Sequence, residues 1–176
     1  MNLIILNGPA GVGKSTIASK IQSYMPEIEV ISIDNLRRTM PNYRNNRQES
    51  LRLSYAYAED YMKKYFNSGK TVIIDKCITQ SEILDRFIDI ADKYGAKALE
   101  FILFAEKEIV KQRSKYRGFT PGSLLTPEKV EELWEKTNSL KTQRPKAIVI
   151  DTANLSPEAV FNIVIARLDE IMCQHA

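Results

Sequence analysis

The chain has 176 residues, of which 44% are hydrophobic and 27% charged, and carries a net charge of +3 at pH 7. This composition fits one globular domain over residues 1–176, with a full core and no room for a second unit of comparable size. No apolar run approaches the roughly 18 residues that a membrane span requires, and no basic-then-apolar leader opens the chain. With Cys77 and Cys173 far apart and without metal-ligand spacing, the expectation is a cytoplasmic protein with free thiols and no membrane partner.

The first apolar run, Leu3 to Leu6, leads into Gly8-Pro9-Ala10-Gly11-Val12-Gly13-Lys14-Ser15-Thr16, which satisfies G-x-x-x-x-G-K-[ST]. Ile17, Ala18 and Ile21 continue it as one face of a helix. A strand that turns through glycines into a helix aims backbone N–H groups and the positive end of a helix dipole at one small volume. An ordinary turn does not need three of the chain's seven glycines within six residues. The pattern therefore predicts that Gly8, Ala10, Gly11, Val12, Gly13, Lys14, Ser15 and Thr16 cradle the phosphates of ATP. Lys14 reaches the β- and γ-phosphates, and the Ser15 hydroxyl is a ligand for Mg²⁺.

The second strand, Val30 to Ile33, delivers Asp34. In open parallel sheets the ligand lies beyond the carboxyl ends of the strands, so this carboxylate is a candidate general base, and equally an N-cap for a helix starting at Asn35 or Leu36. Arg37, one turn on, is placed to bind a phosphate or carboxylate of an acceptor. Arg38 points elsewhere. Further basic residues, Arg44 and Arg47, and several tyrosines between Tyr43 and Tyr65 follow, and could hold an acceptor.

Leu51, Tyr55, Ala58, Met62 and Phe66 form a helical stripe that ends before Gly69. The third strand, Val72 to Ile74, is followed by Asp75, which is a candidate second Mg²⁺ anchor or simply a turn aspartate. No role follows for Lys76. A second stripe, Ile83, Leu84, Phe87, Ile88 and Ala91, precedes Gly95 and the fourth strand, Ala98 to Phe104. A helix from near Glu106 carries Lys111, Arg113, Lys115 and Arg117. The spacing of Arg113 and Arg117 puts them on one face, where they either neutralise transferring phosphate or pair with acids such as Glu108. The Gly118 to Leu125 stretch, with Pro121 and Gly122, predicts a lid over approximately 113–126. Thr126-Pro127-Glu128 and Ser156-Pro157-Glu158 read as N-caps, around a fifth strand, Ala147 to Ile150. The last stripe is Val160, Ile163, Val164, Leu168 and Ile171. Strands alternating with helices throughout predict an α/β fold, a three-layer α-β-α sandwich on a five-stranded parallel sheet.

The phosphate loop, Asp34-x-x-Arg37, Asp75 and the basic helix from Arg113 to Arg117 resemble the P-loop kinases of the nucleoside-kinase-like group over nearly the whole chain. The small hydroxyl kinases are most similar, meaning polynucleotide 5′-kinase domains and chloramphenicol phosphotransferase-like enzymes. The resemblance implies the P-loop NTPase fold with a small helical lid, Asp34 as general base, Arg37 on an acceptor phosphate, and adenine against Thr152-Ala153-Asn154, with Asn154 a contact. Nucleoside monophosphate kinases typically carry Asp-Gly-x-Pro-Arg after the third strand, where this chain has Asp75-Lys76-Cys77-Ile78-Thr79. Without that arginine clamp, and with Asp34 kept, the expected acceptor is a hydroxyl of a small molecule or a polynucleotide 5′ end. The alternatives are a monophosphate kinase with an atypical clamp and a nucleotide-binding regulator with little turnover.

Overall fold

The structure is a computed structural model that describes residues 1–119 and 124–173, with side chains as far as Glu170. In chain order it runs β1 (Asn2–Asn7), α1 (Lys14–Tyr24), β2 (Glu29–Ser32), α2 (Ile33–Arg38), α3 (Arg47–Asn67), β3 (Val72–Asp75), α4 (Ser81–Lys93), β4 (Lys97–Phe104), α5 (Lys107–Arg117), α6 (Pro127–Gln143), β5 (Ile148–Asp151) and α7 (Pro157–Cys173). All strand pairs are parallel, in the order β2-β3-β1-β4-β5.

A parallel sheet covered on both faces has strands that read as continuous apolar runs, and successive side chains go to opposite faces. In β1, Ile4 and Leu6 enter a core built with Ile17 and Ile21 of α1, Val110 of α5 and Val164 of α7. Leu3 and Ile5 enter the other, with Tyr55, Ala58 and Met62 of α3 and Leu84 and Phe87 of α4. Leu3, Ile4, Ile5 and Leu6 have no exposed surface, which stabilises the fold by roughly 1.5–3 kcal/mol for each side chain. The helical stripes of α3 and α4 are therefore core packing, as their spacing predicts. In α7, Val160, Val164 and Leu168 are buried, whereas Ile163 is exposed, because the contact face of that helix is narrower than the stripe. Thr126 caps α6 by accepting a hydrogen bond from the Lys129 N–H at 3.2 Å, with Pro127 in the first turn.

One detail differs from the sequence expectation, and another, the strand order, is one that the sequence left open. The second strand ends at Ser32, and Ile33 already belongs to α2; Ser32, in extended conformation, is the N-cap residue and Asp34 lies in the first helical turn. Fully buried Ile33 pins the helix start directly against the sheet, so Asp34 caps nothing. Second, β2 does not neighbour β1, because β3 lies between them. Asp75 therefore stands beside the phosphate loop, with Asp34 one strand further out. No helix among the described residues is long and apolar enough to cross a membrane.

Candidate active site

The glycine loop leaves β1 at Asn7, which is fully buried and whose amide oxygen and nitrogen are both hydrogen-bonded. Its Oδ1 accepts from the N–H groups of Gly8 at 2.8 Å and Ile78 at 2.9 Å, and its Nδ2 donates to the Ile78 carbonyl at 3.0 Å. One side chain thus fixes the start of the phosphate loop against the segment after β3. Sequence reasoning missed it, although a polar residue closing an apolar strand was the available signal. Gly8, at φ +138°, passes so close to β4 that an added Cβ would lie 2.1 Å from the Leu103 carbonyl oxygen. Gly13, left-handed at φ 97°, is the residue from which α1 starts, so the first helical N–H groups open onto the loop. Lys14 folds back and donates to the Pro9 carbonyl at 2.9 Å.

Across the ends of β1, β3 and β2, four side chains meet in two pairs. The Ser15 hydroxyl donates to Asp75 Oδ2 at 2.6 Å. Two oxygen donors this close, one a carboxylate, are a donor set that fits Mg²⁺. The next residue, Lys76, is largely buried and forms an ion pair with half-exposed Asp34. The register explains the meeting: Ser32 lies opposite Asp75, so the residues that follow each strand emerge together. Burial raises the Asp34 pKa, but the Lys76 charge and hydrogen bond, with further help from Lys14 and Arg38, outweigh it and hold the carboxyl below its ordinary range. Tyr55 is buried nearby. Burial first, then the charges of Cys77 and Asp34, push its phenol up, so it stays protonated and can donate a hydrogen bond.

The arginines lie elsewhere than expected. Arg37 turns away from an acceptor and ties down the chain after α2, donating from Nε to Ser50 Oγ at 3.0 Å and from Nη2 to the Arg47 carbonyl. Arg113 does not reach over the loop as a lid residue. Its guanidinium donates to Thr152 Oγ1 at 3.1 Å and to the carbonyls of Thr152 at 2.8 Å and Ala153 at 3.0 Å, binding α5 to the turn after β5. Three protein oxygens thus occupy the Arg113 guanidinium fork. Arg117 is exposed at the end of α5, and the partner of Glu108 is Lys111 rather than an arginine. The expected lid includes residues 120–123, which lie outside the described residues.

A cleft of about 290 Å³ runs from Gly11, Val12, Gly13 and Thr16 to Arg113, Thr152 and Leu155. It is the space expected for the base of the nucleotide, although Asn154 is exposed and does not line it. Of the tyrosines, Tyr55 is core, whereas Tyr57 and Tyr61 are exposed, and Tyr61 stacks on Tyr65 at 6.2 Å.

A parallel sheet with a glycine loop between its central strand and the first helix, and two carboxylates carried to the same edge, defines the P-loop kinase class of nucleotide-binding folds. A family model described as AAA domain matches residues 3–135, and the chain belongs to that family. Among solved structures, it is similar to a gluconokinase from Sinorhizobium meliloti, with 16% identity, TM-score 0.70, and 99% of this chain and 98% of that one covered. The tunicamycin resistance protein of Deinococcus radiodurans is 20% identical at TM-score 0.64, with 95% of each chain covered. Deoxyadenosine kinase from M. mycoides is 17% identical at TM-score 0.60, covering 96% of this chain and 99% of that one. At these identities the likeness is one of fold. No curated protein sequence matches the chain significantly.

Proposed function

We propose that this protein is an ATP-dependent kinase that transfers the γ-phosphoryl group to a hydroxyl acceptor. The observation that carries this reading is the adjacency of the Ser15–Asp75 pair to the Asp34–Lys76 pair, one suited to the donor's metal and the other to the acceptor's proton. Lys14 would exchange the Pro9 carbonyl for the β- and γ-phosphates, and the N–H groups of the loop would hold their oxygens. Ser15 and Asp75 would hold Mg²⁺, which when bound neutralises charge on those phosphates.

Asp34 is ionised at neutral pH, orients the acceptor O–H and accepts its proton as the acceptor oxygen bonds to the γ-phosphorus. The bond from that phosphorus to the β,γ-bridging oxygen breaks, and ADP leaves with its electron pair. Lys76 keeps the carboxylate in place and adds positive charge beside the transferring group. A carboxylate held below its ordinary pKa is a weaker base, so its orienting role is the larger one, in keeping with a loose transition state in which the proton moves late.

The test is transfer of labelled γ-phosphate from ATP to a panel of nucleosides, oligonucleotides, sugars and hydroxylated antibiotics, together with nucleoside monophosphates. A phosphorylated hydroxyl is the expected product. Asp34→Ala lowers transfer by about 10²-fold or more and retains ATP affinity. Full transfer by Asp34→Ala, or diphosphate as the main product from monophosphates, contradicts the reading.

A further inference from the structure

Among the described residues the fold buries the hydroxyls of Ser50, Ser54, Ser114, Thr137 and Thr152, and all but one have a carbonyl to bond. Ser50 Oγ lies 3.1 Å from the Tyr43 carbonyl oxygen. Ser54 donates to the Leu51 carbonyl at 2.7 Å, Thr137 to that of Leu133 at 2.7 Å and Thr152 to that of Phe104 at 3.0 Å. Ser114, on α5, is fully buried and its Oγ has no partner. The Val110 carbonyl, one turn back on the same helix, is the usual acceptor for such a hydroxyl and does not take it. A buried hydroxyl without a partner is destabilising, because the water that bonded it is gone and nothing replaces it. Alanine avoids that cost and is also the better helix former.

What this hydroxyl faces is the phosphate loop. A Cβ added to Gly11 would lie 3.1 Å from Ser114 Oγ, 3.4 Å from Arg113 Cβ and 3.4 Å from the Val110 carbonyl oxygen, so Gly11 rests on this turn of α5. The other two glycines of the loop meet no polar side chain: Gly8 lies against the backbone of β4 and the Val12 side chain, and nothing stands within 4 Å of the corresponding position at Gly13.

Gly11, at φ +81°, follows Ala10 in a turn. Among the described residues, the Ala10 carbonyl and the Gly11 N–H, which belong to one peptide group, form no hydrogen bond. α5 itself is anchored on both sides, by Arg113 to Thr152 and Ala153 and by Lys111 to Glu131 of α6 at 2.7 Å.

A peptide group is planar and trans, so its N–H and C=O point in opposite directions. When the Gly11 N–H turns to a phosphate oxygen, the Ala10 carbonyl turns away from the phosphates, and glycine tolerates that turn where a residue with a Cβ would not. The Ser114 hydroxyl, against the α5 side of Gly11, is the idle donor beside it.

We propose that Ser114 is a positioning residue for the phosphate loop, and that its O–H donates to the Ala10 carbonyl when the loop holds a triphosphate. The hydrogen bonds then run from the hydroxyl through one peptide to the phosphate, and a carbonyl that accepts a bond makes its own N–H the stronger donor. Binding relieves the unpaired burial of the hydroxyl, so Ser114 disfavours the nucleotide-free protein and favours the bound one. The inference rests on the nucleotide-binding part of the proposed function and adds to it a residue that touches no ligand.

The experiment is calorimetric titration of the full chain with ATP and with tripolyphosphate, which carries the phosphates without the base, both with Mg²⁺, together with thermal melts in the absence of either. Ser114→Ala is expected to raise Tm by about 2–4 °C. It should weaken ATP and tripolyphosphate by the same factor, about five- to tenfold. Ser114→Cys, which offers a weaker donor at nearly the same size, should fall between it and the wild type in affinity. Ser54→Ala, which removes a buried hydroxyl that already has its partner on α3, should lower Tm and leave both affinities unchanged.

A more stable protein with weaker binding of both ligands upholds the role, since a hydroxyl that merely supports the fold cannot give opposite signs. A lower Tm in Ser114→Ala marks the hydroxyl as already bonded without nucleotide and overturns it. Weakening of ATP alone also overturns it, because that is the mark of a disturbed Arg113 turn and not of the phosphate loop. If both affinities are unchanged, nucleotide binding stands and the role of Ser114 falls. If the wild type binds neither ligand, the nucleotide reading fails and the proposal falls with it.

Discussion

Lys76 and Asp34 are joined in an ion pair across the ends of β3 and β2, although 42 positions separate them in the chain. The lysine is the residue for which no role could be read from the sequence, and it holds the carboxylate to which the sequence assigns the chemistry. Its neighbour Asp75 meets Ser15 at the same strand end, so two consecutive residues, the last of β3 and the first after it, form the two pairs.

Replacing Lys76 by Met removes the larger of the influences that lower the Asp34 pKa and leaves burial opposed only by Lys14 and Arg38. In the proposed reaction the working form is the carboxylate, which is lost as pH falls through its pKa. The acid limb of kcat/KM therefore moves to higher pH in Lys76→Met, and kcat drops. Lys76→Arg keeps the limb near its wild-type position. A pH–rate profile of the three proteins checks this, and a limb that stays put in Lys76→Met uncouples the lysine from Asp34.

Arg113 separates two roles by kinetics. Its guanidinium holds the Thr152 and Ala153 carbonyls beside the cleft that the proposed reading gives to the nucleotide, so Arg113→Ala should raise KM for ATP about tenfold and change kcat little. An arginine acting on the transferring phosphoryl is worth about 10³ or more in kcat. Steady-state kcat and KM for ATP tell the two apart.

Gly8 and Gly13 have positive φ for different reasons, and alanine reports the difference. At Gly8 the new Cβ would sit 2.1 Å from a backbone oxygen of β4, which cannot yield without breaking the sheet; Gly8→Ala should cost more than about 3 kcal/mol and fail to give a cooperative transition. At Gly13 nothing lies within 4 Å, so Gly13→Ala carries only left-handed strain of roughly 1–2 kcal/mol. Thermal melts should show a folded Gly13→Ala with lowered Tm.

Glu100 on β4 is a buried carboxylate held by Arg144 at 2.8 Å, and Arg144 also reaches Asp85 and the Ser81 hydroxyl on α4. Arg144→Met leaves that charge unpaired and should cost about 3–5 kcal/mol. Burial raises the Glu100 pKa despite the arginine, so the folded state binds its proton more tightly than the unfolded chain does. Its contribution to stability is then most favourable below the unfolded value and falls as pH rises through the folded one. Urea midpoints for Arg144→Met should recover partly on going from about pH 8 to about pH 5, and Glu100→Gln should remove that dependence.

The five strands, the order of helices between them, the phosphate loop and the two aspartates were all legible in the chain. They depend on local signals: apolar runs of strand length, helical stripes, a glycine pattern that closes onto a helix, and proline after a capping hydroxyl. Less was legible about side chains whose partners are distant. Arg37 and Arg113 look identical in sequence to arginines that grip phosphate, and their commitment to Ser50, Thr152 and Ala153 depends on residues 13 and about 40 positions away.

By itself the sequence determined the class of fold and located the phosphate loop, because such a loop is made by consecutive residues that carry a local pattern. Only the tertiary structure decided that β3 lies between β1 and β2, that Lys76 therefore meets Asp34, and that Asn7 braces the loop against Ile78. Strand order carries no local signature: it follows from how the two faces of the sheet are covered, and the Asp34–Lys76 pair is set by strands that are neighbours in space alone.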